Sequence, residues 1–79
     1  MSEWKGDLSD DCTLDRYGLN AHVECMDRGC WWFAVGKGEW PNYTELYNHS
    51  ECRTVVKLTT GKMARTAAEC IIELLSGKP

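Results

Sequence analysis

The groups able to carry chemistry in this 79-residue chain are five cysteines, two histidines and an excess of carboxylates. Cys12, Cys25 and Cys30 with His22, His49, Asp10 and Asp11 are the only candidates for nucleophilic or acid–base work. Such catalysis needs a thiol and an imidazole within hydrogen-bond reach in a pocket of some depth. On an extended hairpin, His22 and Cys30 share a face but stand too far apart to be direct partners. Thr59-Thr60-Gly61-Lys62 ends like a phosphate-binding loop but lacks its full glycine pattern, which leaves a strand-to-helix turn with a capping threonine. Enzymatic activity and a cofactor are not expected.

The cysteine count is odd, and Cys12, Cys25, Cys30, Cys52 and Cys70 form no CxxC pair, so reduced thiols buried as small hydrophobes are expected. His22 and His49 fall near Cys25, Cys30 and Cys52, yet a zinc site normally rests on paired close spacings that fix four ligands. No metal is expected on that ground. The acidic start MSEWKGDLSDD has no basic-then-apolar export pattern and no apolar run approaches a membrane span, which points to the cytoplasm. For the same reason the acceptor triplets beginning at Asn42 and Asn48 read as chance.

The chain is long enough for a single small domain over 1–79, and its 43% apolar content suits a folded globule. Residues 19–26 and 30–36 form a hairpin around Asp27-Arg28-Gly29, a three-residue turn with glycine in the left-handed region. The turn sets Met26 opposite Cys30, Cys25 opposite Trp31, Glu24 opposite Trp32, Val23 opposite Phe33 and Ala21 opposite Val35. One face then collects Val23, Cys25, Trp31 and Phe33 as a core; the other carries His22, Glu24, Cys30, Trp32 and Ala34 toward solvent. This register rejects a Cys25–Cys30 disulfide. CRTVVKL predicts a third strand over 52–58, and residues 62–76 a helix capped by Thr59 or Thr60 and stopped by Gly77. Met63, Ala67, Cys70, Ile71 and Leu74 are the stripe expected on the sheet. Ala64, Ala68, Ile72 and Leu75 form a second stripe, of which Ile72 and Leu75 are candidates for a homodimer contact. Between strand two and strand three, Pro41 to Tyr47 suits a helical turn or two, and the segment before the hairpin reads as irregular or short-helical, with Ser9-Asp10-Asp11 as a possible cap. The expected fold is α+β: three antiparallel strands on one C-terminal helix.

Charge is polarised along the chain, with a balance of −4 over residues 1–15 and +3 over residues 53–78. That pattern disfavours a general nucleic-acid binder, which presents a dominant basic face, and suits docking on a protein through complementary potentials. The candidate partner-binding residues are Asp7, Asp10, Asp11, Asp15, Glu24, Trp32, Glu39, Trp40, Tyr43 and Tyr47, the aromatics because tyrosine and tryptophan are enriched at interfaces.

In size, acidity and the β-β-β-α order, with VVKLTTGKMARTAAECIIELL as its most typical stretch, the chain resembles small inhibitors encoded by phages and mobile elements, anti-CRISPR proteins among them. The resemblance implies a non-catalytic inhibitor in the host bacterial cytoplasm that occupies a surface of a CRISPR effector complex, setting acidic groups against a channel meant for nucleic acid. Two other readings stand beside it. One is a single-stranded nucleic-acid binder using Trp32, Arg53 and Lys57. The other is a self-associating, antitoxin-like subunit joined through Ile72 and Leu75.

Overall fold

A computed structural model describes residues 3–39, 41–49 and 57–77. Among the described residues, five strands, β1 (Lys5–Asp7), β2 (Asp11–Arg16), β3 (Leu19–Asp27), β4 (Cys30–Lys37) and β5 (Thr44–Asn48), form one antiparallel sheet in the order β1-β2-β3-β4-β5, followed by a helix, α1 (Gly61–Ser76). The class is α+β with a C-terminal helix, but the sheet has five strands where three are expected.

The β3–β4 hairpin keeps the register that its turn dictates. Cys25 pairs with Trp31, Glu24 with Trp32, Val23 with Phe33 and Ala21 with Val35, and Gly29 sits at φ 68. The correction is one residue at the tip: Asp27, not Met26, stands opposite Cys30, because the ladder shifts between Cys25 and Asp27 and leaves Met26 in a bulge.

The N-terminal segment is not irregular or short-helical. Asp11, expected to help cap a helical turn, begins a strand instead, because Cys12 and Leu14 alternate inward and complete the core beside Val23 and Ala21. Tyr17 and Gly18, at φ 56 and 76, make the two-residue β2–β3 turn. Positive φ at both positions is the type I′ geometry that matches strand twist. Likewise, no helical turn forms between Pro41 and Tyr47; Thr44–Asn48 pairs with β4. Of the expected third strand, residues 52–56 lie outside the described residues, and Lys57 and Leu58 are in no strand. Leu58 is nonetheless buried, and its carbonyl accepts the Trp31 N–H at 2.9 Å.

Helix α1 begins and ends where the caps place it. Thr60 Oγ1 accepts from Met63 N at 3.1 Å, and Gly77, at φ 75, returns its N–H to Glu73 O. Its packing face is the reverse of the expected one. Ala64, Ala68 and Ile72 are fully buried, whereas Met63, Cys70 and Leu74 are exposed and Ala67 and Ile71 sit at the margin. Trp31 and Phe33 already fill space above β3 and β4, so the first half of the helix packs through the small Ala64 and Ala68, with Gly61 against the Trp31 ring, and Ile72 follows one turn on. Ile72, at 0% exposure within the single chain, is therefore core and not a dimer contact; Leu75 stays exposed.

The N-terminal strands are tied to the helix by polar contacts. Trp4 Nε1 donates to Glu69 Oε2 at 2.9 Å, Arg16 bridges Glu69 and Glu3, and Arg65 donates to Leu8 O at 2.9 Å.

Among the described residues, the expectation of reduced thiols fails at Cys30. Cys30 is disulfide-bonded, whereas Cys12, Cys25 and Cys70 are free. The fifth cysteine, Cys52, lies outside the described residues.

Candidate interaction face

Residues directly opposite in an antiparallel ladder share a face, so the register maps the side of the sheet that faces away from α1. One lateral row runs Asp7, Asp11, Glu24, Trp32 across β1 to β4. The next runs Lys5, Thr13, His22, Ala34, Asn48 across all five strands, and a third carries Asp15, Asn20, Gly36 and Glu45. Among the described residues of these rows, five carboxylates stand against one lysine, which makes this part of the face acidic.

The closest approach of like charge is between Asp11 and Glu24. Cys25 N donates to Asp10 O at 2.7 Å, one residue beyond the pair on each strand, so Asp11 and Glu24 occupy a non-hydrogen-bonded position, where side chains stand nearest. Like charges so placed destabilise a sheet. Beneath them lies His22, 2% exposed, with Nε2 at 3.2 Å from both Asp11 Oδ1 and Glu24 Oε1. The burial of His22, Cys30 and Ala34 departs from the solvated face expected of this side of the hairpin.

Trp32 closes one side of the cluster. Its ring meets His22 edge-on with centroids 6.0 Å apart, and its Nε1 donates to Asn48 Oδ1 at 3.0 Å. Asn48 in turn donates to Glu45 Oε1 at 3.0 Å, and Asn20 donates to Asp15 Oδ1 at 2.9 Å. These amides hold the outer carboxylates in place without neutralising them.

The other candidate residues fall into separate places. Asp7 accepts from Ser9 Oγ at 2.6 Å and Ser9 N at 2.9 Å, and these two hydrogen bonds, the hydroxyl's first, hold its carboxyl below the usual range. Asp10 is exposed in the β1–β2 turn, beside the face, and Glu39 is exposed in the β4–β5 loop. Tyr43 is half-buried against Gly36, and burial, followed by the charge of Glu45, pushes its phenol up to about 12. Tyr47 stacks on Phe33 at 5.3 Å on the core side, so it closes the core as a lid would. Trp40 lies outside the described residues.

The nucleophile candidates are not gathered. Cys12 is buried and burial raises its thiol, which works against thiolate formation; Cys25 donates to Asp27 O, and His49 stacks on Phe33. Among the described residues, Asp11, His22 and Glu24 are the one set whose ligand atoms converge, all within 4.8 Å of one another, and these three could hold a cation. His22 and Glu24 share a face from the hairpin register alone, whereas Asp11 joins them only through β2, and Glu45 is an acidic neighbour outside the expected contact residues. The missed signal is the alternation in DCTLDR, apolar at Cys12 and Leu14 and polar at Asp11, Thr13 and Asp15. Among the described residues no helix is long and apolar enough to cross a membrane. No family model matches the chain, and no curated protein or solved structure matches it either.

Proposed function

We propose that the protein is a non-catalytic binding module that sets its acidic sheet face against a basic surface of a bacterial protein complex, blocking access of nucleic acid to that surface. The observation that supports this reading most is the lateral row Asp7, Asp11, Glu24, Trp32: three carboxylates on successive strands, ending in a half-buried indole. Directly opposed carboxylates cost stability in the free protein, and a cationic partner would relieve that cost. The indole beside them supplies the aromatic contact that interfaces concentrate. The same face argues against nucleic acid as the ligand, because phosphates would meet carboxylates where a binder needs Lys and Arg. A CRISPR effector is the target that the resemblance in size, charge and element order suggests. A cytoplasmic location goes with that target; the Cys30 disulfide weighs against it, since the cytosol keeps thiols reduced.

The test is competition on purified effector complexes with labelled target DNA or RNA. The native protein should displace the nucleic acid from one of them, and the double reversal Asp11→Lys, Glu24→Lys should lose that effect while keeping its fold. Failure of the native protein to bind or displace on every effector tried would remove the inhibitor reading.

A further inference from the structure

We propose that Asp11, His22 and Glu24 bind a divalent transition-metal ion of the zinc class. The three side chains come from two adjacent strands locked in register, so their positions are set by the ladder and not by a loop. The imidazole is 98% buried at the floor of the cluster, and its Nε2 faces two carboxylate oxygens at 3.2 Å each. A tetrahedral ion with metal–nitrogen and metal–oxygen bonds near 2.0–2.2 Å holds its ligand atoms about 3.3–3.6 Å apart. The two nitrogen-to-oxygen spacings of 3.2 Å, which also suit hydrogen bonds, lie at the lower edge of that range, and all three ligand atoms are within 4.8 Å of one another.

The charges lead to the same place. Two carboxylates opposed in the closest type of cross-strand pair and sharing one ring nitrogen repel each other, which favours a cation between them. A cation held there would relieve that repulsion, and the exposed sides of Asp11 and Glu24 would leave room for water in the remaining coordination positions. An imidazole with two carboxylates favours zinc and its first-row neighbours over calcium and magnesium, which take oxygen alone. Histidine and glutamate two apart on a strand supply only half of such a site. Asp11, eleven positions before His22, completes it through the β2–β3 pairing, which is why spacing along the chain gives no warning of it.

The experiment is calorimetric titration of the tag-free 79-residue chain with Zn2+ and with Co2+, in a Cys70→Ser background that removes the exposed free thiol. One equivalent should bind, and Asp11→Asn and Glu24→Gln should each weaken binding by about tenfold or more. Both variants are near-isosteric at exposed or half-exposed positions, and an unchanged far-ultraviolet spectrum and urea midpoint will show that they fold. Cobalt bound at this site should show visible d–d bands without near-ultraviolet thiolate charge transfer. Absence of one-to-one binding, thiolate bands, or binding untouched by Asp11→Asn and Glu24→Gln would each overturn the proposal and leave the three residues as a hydrogen-bonded cluster. The titration contains no partner protein, so its outcome is independent of the competition on effector complexes.

Discussion

Gly61 opens helix α1 directly against the indole of Trp31: a Cβ at position 61 would stand 2.9 Å from Trp31 Cη2 and 3.1 Å from Leu8 O. The first turn of the helix rests on the largest core side chain with no methyl group between them. Gly61→Ala should therefore destabilise the protein by about 1–3 kcal/mol, although alanine is the better helix former, because neither the packed ring nor the Leu8 backbone can retreat cheaply. Urea denaturation measures it. A variant as stable as the parent, or more stable, would show that the helix start has room to move.

The two adjacent tryptophans should behave differently. Trp31, 8% exposed, packs in the core under α1, whereas Trp32 is half-buried on the acidic face, where it covers one side of His22. Trp31→Ala is expected to cost about 3–5 kcal/mol, as a cavity left in a small core, and Trp32→Ala about 1–2 kcal/mol. The second figure exceeds that for a fully solvated side chain because Trp32 also loses its bond to Asn48. Equal losses in urea denaturation would contradict the placement of the two rings.

These differences also explain what could be read in advance. The β3–β4 register is legible because the Asp27-Arg28-Gly29 turn and the alternation on each side specify it locally, and the α1 boundaries because Thr60 and Gly77 cap them locally. Strands β1 and β2 are obscured by their composition: KGD is too short to show alternation, and DCTLDR buries only Cys12 and Leu14. The packing face of α1 depends on how much volume Trp31 occupies on another element, which no period within the helix reveals. On the acidic face, Glu24, Trp32 and His22 fall together from the hairpin alone; Asp7 and Asp11 join them only through β1 and β2.

Chemical labelling gives a direct count of the thiols. Cys12, Cys25 and Cys70 are free and Cys30 is disulfide-bonded, in a chain of five cysteines. Iodoacetamide added in denaturant without reductant should modify three cysteines, and five after reduction, as read by intact mass. Reduction should also lower the melting temperature, since a disulfide in a small domain contributes about 2–4 kcal/mol. Five modified cysteines before reduction would refute the bond at Cys30.

Stability should fall in alkali, and the sign follows from two raised groups. Burial, ahead of the charge of Glu45, pushes the Tyr43 phenol up to about 12 from 10.0, and burial raises the Cys12 thiol above 9.0. In both cases the folded chain holds its proton more tightly than the unfolded chain does. Their contribution is thus complete below the unfolded values and is lost as pH rises through the folded ones. The loss should begin near pH 9 with Cys12 and continue between pH 10 and about 12 with Tyr43. Tyr43 is partly open to water, which screens its charge, so its share is on the order of 1 kcal/mol. Urea midpoints between pH 8 and pH 12 measure the decline, and Tyr43→Phe should flatten its upper part while leaving the onset. Spectrophotometric titration adds an independent reading: one tyrosine's absorbance change should arrive only near pH 12. Full ionisation of all three tyrosines by pH 11 in a still-folded protein would show that Tyr43 is more open to water than its packing against Gly36 indicates.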